Sequence, residues 1–222
     1  MSRIFVFIFA SLVCAFAFAG NEMTAQESEW AKAAVPFSKD AVIDGVQLKL
    51  LVDVNPEKGI SPAGSAYYAA DDSCAFIVRV RDNMAVDVLR DLADTDHSWE
   101  VAKTVAFAHE YGHCVQFHVS HTQGDADTPK RSHTKDEAFA DVFALAWVYQ
   151  HQPENFEEAM DYLRKLRGLP KSLTANYNTQ VYLRKAEGFP DMPNFAQYTP
   201  YAIAKFIVFG TPLSTPSTLA AN

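Results

Sequence analysis
The chain has 222 residues, of which 49% are hydrophobic and 21% charged, with a formal net charge of −8. These values exclude a disordered chain, and with 9 Gly and 11 Pro they exclude collagen-like and low-complexity architectures. The acidic balance argues against a nucleic-acid partner, and the length suits one domain.

Arg3 precedes an apolar run over residues 4–19 that is broken only by Ser11 and ends in Ala17-Phe18-Ala19. A basic start, a short apolar core and a small-residue cleavage signal are the marks of a secretory signal peptide over residues 1–19. Its removal after Ala19 leaves 203 residues with a formal charge of −9, since Arg3 is its one charged side chain. The apolar share then falls to about 46%, an ordinary value for a globular domain. No later run has the length of a membrane span, so the expected product is exported, periplasmic or secreted, without a membrane span in the mature chain. Its oligomeric state is left open. Two cysteines remain, Cys74 and Cys114. In an oxidising compartment they are expected to pair, with two buried thiols as the alternative.

After a polar lead (20–38) with a short helix around Trp30, residues 41–54 alternate. Val46, Leu48, Leu50, Val52 and Val54 share one parity, which predicts a strand with one buried face, entered by a turn at Asp44-Gly45. Residues 55–64 are expected as loop, 66–70 and 74–80 as two strands joined by a turn at 71–73, and 84–92 as a short helix. Asp96 or Ser98 is expected to cap a long helix to about Val119. A polar loop covers 120–134, and helices follow over 135–150, 155–167 and 175–187. A short apolar segment at 202–209 precedes a tail over 211–222. Strands first and helices after predict an α+β domain spanning 20–210.

The long helix carries His109-Glu110-Tyr111-Gly112-His113, an H-E-x-x-H. Residues four apart lie about 40° apart on a helix and one turn along it, so His109 and His113 can reach one metal ion, with Glu110 beside them. Apolar and small neighbours (Val101, Val105, Ala106, Phe107, Ala108, Val115) predict burial, and buried imidazoles beside a carboxylate require a strong reason. Gly112 leaves room for a close neighbour or a substrate. The next helix offers Glu137 and Asp141, again i, i+4, amid Ala138, Phe139, Ala140 and Val142. Glu137 can supply a third ligand, and Asp141 can accept the free N–H of a ligand histidine. Two His and one Glu leave a position open on zinc, the pattern of catalytic sites. His118 and Cys114 face away from His109 on the helical wheel, whereas His121 and His133 lie in the loop and could swing in. Gln116 and Val119 stand where the metzincin extension requires Gly and His.

The segment AHEYGHCVQ, followed by EAFAD, resembles the bacterial neutral zinc metallopeptidases, and more broadly the gluzincins. The match rests on His109, Glu110, Gly112, His113, Val115, Gln116, Glu137, Ala140 and Asp141, within residues 101–147. Cys114 departs from it, standing where that family commonly repeats a histidine. The resemblance implies a zincin-like fold, with a small N-terminal β-sheet packed on the HExxH helix and a mainly helical C-terminal part. It implies one Zn²⁺ held by His109, His113 and Glu137, with Glu110 as general base in hydrolysis of a peptide or protein substrate. The substrate backbone would pair with an edge strand, 74–80 being the candidate. His133, His151, Tyr177, Tyr182 and Tyr198 are candidate donors to the developing oxyanion, and loop 120–134 is a candidate lid. The alternatives are a non-catalytic zincin-like binding domain and a zinc amidohydrolase acting on cell-wall peptides. Glu110 favours catalysis, because a purely structural zinc site needs no such carboxylate.

Overall fold
The computed structural model describes residues 23–37, 47–52, 62–70, 73–123, 132–169 and 178–213, with backbone alone at 47–52. The expected signal peptide, the Asp44-Gly45 turn, most of loop 55–64, Asp71-Asp72, residues 124–131 of the expected lid, Tyr177 and the end of the tail lie outside the described residues.

Helix α1 (Ala25–Ala34) starts in a reciprocal cap: the Thr24 hydroxyl accepts from Glu27 N–H, and the Glu27 carboxylate accepts from Thr24 N–H at 2.7 Å. It buries Trp30, Ala31 and Ala34. Strands β1 (Gln47–Val52), β2 (Ala63–Tyr68) and β3 (Ser73–Val78) form a sheet ordered β1-β3-β2. β1 is parallel and β2 antiparallel to β3. β3 buries Cys74, Ala75, Phe76 and Val78, the near-continuous apolar run of a covered central strand. It is hydrogen-bonded on both sides, so the segment expected to offer a free edge has none. The strands outside it are β1 and β2, of which β2 packs against the helix that carries the H-E-x-x-H. β2 starts at Ala63, directly after Pro62, which the expected loop had absorbed.

The helices carry the rest. Asn83 caps α2 (Met84–Asp91) through its side chain. In α3 (Asp96–Gln123) the capping oxygen is Thr95 Oγ1, which accepts from Ser98 N–H at 3.0 Å. Neither Asp96 nor Ser98 fills that role, because the capping side chain must reach the amide three residues on. The helix also outlasts its expected end, continuing through Ser120 and His121, with the Ser120 hydroxyl satisfied by Gln116 C=O. Ser132 caps α4 (His133–His151), whose residues 138–148 are all buried. The 3₁₀ turn Pro153–Asn155 leads into α5 (Phe156–Gly168), followed by α6 (Gln180–Ala186) and α7 (Pro200–Phe209). α7 is a complete helix where sequence marked only apolar residues, with Pro at its first position and Gly210 closing it at φ 72°.

α4 lies between α3 and α7, and α3 packs across β2 and β3. Ring contacts among Trp30, Trp99, Phe107, Phe37, Phe76, Tyr111 and Trp147 join α1, the sheet, α3 and α4 in one core. The architecture is mainly helical with one small sheet, α+β. Cys74 of β3 and Cys114 of α3 are disulfide-bonded, with Cα atoms 5.8 Å apart. Among the described residues no helix is long and apolar enough to cross a membrane.

Candidate metal centre
α3 and α4 approach closely at Gly112. A Cβ there would lie 3.1 Å from Phe143 Cβ and Cγ and 3.2 Å from the Ala140 Cα. The room left by this glycine is filled by α4 rather than by a substrate. This contact carries Glu137, about one turn before Ala140, up to the paired histidines. His109 Nε2 and His113 Nε2 are 3.1 Å apart, with the rings at 88°. Glu137 Oε2 lies 3.5 Å from His109 Nε2, and its Oε1 lies 3.6 Å from His113 Nε2. Bonds of about 2.05 Å to a tetrahedral ion would set donor atoms about 3.3 Å apart, close to each of these separations. His109, His113 and Glu137 can thus hold a metal ion, and all three are partly buried.

The surroundings orient each donor. Asp141, fully buried, accepts from His109 Nδ1–H at 2.9 Å, which turns Nε2 towards Glu137. Asp141 also accepts from Arg167 Nε (2.8 Å) and Nη2 (2.6 Å) and from the Thr179 hydroxyl (2.8 Å). Thr179 precedes α6, and its hydroxyl serves Asp141 rather than capping that helix. Arg167 Nη2 donates to Glu137 Oε2 as well, at 3.2 Å. Gln116 Nε2 donates to Asp136 Oδ1 at 3.0 Å, joining α3 to the first turn of α4.

Electrostatics follow from these contacts. Burial pushes the Asp141 carboxyl up, but the Arg167 guanidinium and His109 outweigh it and hold the group at about 2. Burial pushes His109 down, yet Asp141 and Glu137 outweigh it and raise the imidazole to about 10. Burial opposes the charge of Glu137 too, but His109 and His113 keep it well below the carboxylate range. The group is built to receive a positive charge between its donors. A proton on His109 Nε2 and a metal ion would occupy the same place.

Glu110 points a carboxylate into the same cavity, where its Oε2 accepts from the Ser65 hydroxyl of β2 at 2.7 Å. The cavity, about 560 Å³, lies against β2, and its apolar wall includes Val88, Leu89, Leu163 and Leu166. Tyr162 also lines it, and burial pushes that phenol up, so it remains a proton donor.

His109, Glu110, His113, Glu137 and Asp141 come together, and Cys74 and Cys114 are joined behind them. Of the rival ligands, exposed His133 sits 3.9 Å from Glu137 Oε1, while His118 and His121 meet the Tyr67 ring instead. Of the candidate oxyanion donors, His133 lines the cavity. His151, Tyr182 and Tyr198 are not among its described lining residues, and His151 is stacked on Trp147.

Sequence reasoning missed Ser65, Tyr162, Arg167 and Thr179. Arg167 had a signal, because it falls on the α5 stripe of Met160 and Leu163, where a charged side chain needs a buried partner. Ser65 and Thr179 had none, since distant elements bring them in. Compared with known protein families, with curated proteins and with solved structures, the chain matches none.

Proposed function
We propose that the protein is an exported zinc-dependent peptidase of zincin-like fold, with the ion held by His109, His113 and Glu137 and with Glu110 as general base. One observation carries this reading. Two imidazole nitrogens and a carboxylate converge within 4.8 Å of one another, and a second carboxylate, Glu110, opens beside them onto the same cavity. A bound zinc ion supplies Lewis-acid polarisation and an acidified water. The residues do the rest. The Ser65 hydroxyl fixes one Glu110 oxygen and leaves the other to take a proton from the attacking water and pass it to the leaving amine. Tyr162 and His133 are among the cavity-lining groups able to donate to the developing oxyanion. The substrate backbone runs along β2, the outer strand that carries Ser65, as an added strand. Export rests on the signal-peptide pattern and agrees with the disulfide.

The test is direct. The mature chain is purified, its metal is quantified, and cleavage of casein and a peptide library is followed with and without chelator, beside Glu110→Gln. The expected result is one zinc per chain, cleavage abolished by the chelator and restored by zinc, and full metal content but at least 100-fold slower cleavage in E110Q. Cleavage that survives E110Q, or a chain that takes up no zinc, overturns the proposal.

A further inference from the structure
Arg167 is placed where a surface ion pair would not be. It lies near the end of α5, its side chain is 8% exposed, and it lines the cavity behind the triad. Its one guanidinium engages two carboxylates of α4: Asp141 through Nε and Nη2, and Glu137 Oε2 through Nη2. Asp141 is fully buried, and Glu137 is 14% exposed. Two such carboxylates one helical turn apart repel each other, and the planar fork holds both at once while gripping the two Asp141 oxygens in one plane, a fixed geometry that the three donors of an ammonium point charge do not reproduce.

The consequences bear on the ion. With Oε2 engaged by Arg167, Oε1 of Glu137 is the oxygen left to ligate, from its place 3.6 Å from His113 Nε2. By fixing both Asp141 oxygens, the same fork also fixes the acceptor that orients His109. We propose that Arg167 is a positioning residue for the metal: it limits Glu137 to one-oxygen ligation and locks the acceptor of His109. A positive charge near a metal site also repels the ion. If charge dominated, removing Arg167 would tighten binding, whereas if geometry dominates, removal weakens it. Three charge-assisted hydrogen bonds around nearly buried carboxylates favour geometry, and partners of metal ligands are typically worth about 10–100-fold in affinity. The inference rests on the metal-holding reading of the triad and is independent of peptide cleavage.

The experiment uses the mature chain with Zn²⁺ and Co²⁺ as probes. Zinc affinity is measured by competition with a chromophoric chelator for wild type, Arg167→Gln and Arg167→Lys, and the visible spectrum of each cobalt-loaded protein is recorded. The expected result is zinc binding about 10–100-fold weaker in R167Q and at least 10-fold weaker in R167K, which keeps the charge and loses the fork. In both variants the cobalt bands should weaken, as a second Glu137 oxygen raises the coordination number. If R167Q does not fold, R167K carries the test alone. Wild-type affinity and spectrum in R167K, or tighter zinc binding in R167Q, overturns the inference. A wild-type chain that takes up neither ion overturns it together with the proposed function. A wild-type chain that binds zinc but cleaves nothing overturns the peptidase proposal alone.

Discussion

Gly112 sits between the turn that carries His109 and His113 and the helix that brings Glu137. In a helix interior, Gly→Ala normally gains about 1 kcal/mol, because alanine loses less conformational freedom on folding. Here the new methyl would lie 3.2 Å from the Cα of Ala140, a backbone atom that cannot rotate away, and 3.1 Å from two Phe143 atoms. Overpacking of that kind costs typically about 1–3 kcal/mol and is expected to outweigh the propensity gain. Gly112→Ala should therefore destabilise by about 1 kcal/mol in denaturant titration, with weaker zinc binding as α4 shifts away from α3. A stabilised variant would show that the helices separate at no cost and that the close approach does not set the triad.

At the scale of elements, α1 is fastened by charge as much as by its tryptophan. Glu27, buried, caps its own helix and pairs with Arg81 at 2.7 Å, just beyond β3. Burial pushes its carboxyl up, but Arg81 and the Thr24 bonds outweigh that and hold it below its ordinary value. A carboxylate lowered in the folded state stabilises above its unfolded pKa, about 4.3, and loses that contribution as pH falls through the folded value. Glu27→Gln should cost about 2 kcal/mol at pH 7, as expected for a buried charge-assisted pair. The gap to wild type should close below about pH 4, read as thermal midpoints of both proteins from pH 7 to 3. A gap that stays constant with pH would mean that the charge of Glu27 does not hold α1.

What was legible at this scale divides along physical lines. α3 and α4 could be read from unbroken apolar composition around paired polar residues, because a buried helix admits charge only for a purpose. β3 could be read as a strand from its apolar run, but its central position could not, since strand order is set by pairing between distant segments. The same distance hides Ser65 and Thr179, whereas His109, Glu110 and His113 announce themselves by spacing within one helix.

Across the whole molecule, the sheet and the helices that carry the triad are separate layers, and α3 belongs to both. Two ties fasten it to the sheet. Ser65 of β2 bonds Glu110, and Cys74 of β3 is bonded to Cys114, the residue directly after His113. The bridge spans 40 residues along the chain and encloses most of β3, α2 and about the first two thirds of α3. Cross-linking a loop of that length restricts the unfolded chain by about 4 kcal/mol. For a chain of this size 1 kcal/mol moves the midpoint by about 2–4 °C, so the double variant Cys74→Ala, Cys114→Ala should melt about 8–16 °C below wild type. Because Asp141 of α4 and Arg167 of α5 hold the triad, and Gln116 ties α3 to the first turn of α4, the folded variant should still bind zinc if the proposed centre holds it. Calorimetry of both proteins in the presence of zinc, with chelator competition below the lower midpoint, separates the two effects. A midpoint within about 3 °C of wild type would show that other contacts already restrain the loop in the unfolded chain. Loss of zinc binding in a variant that remains folded would show instead that the bridge, rather than the contacts across α4, sets the position of His113.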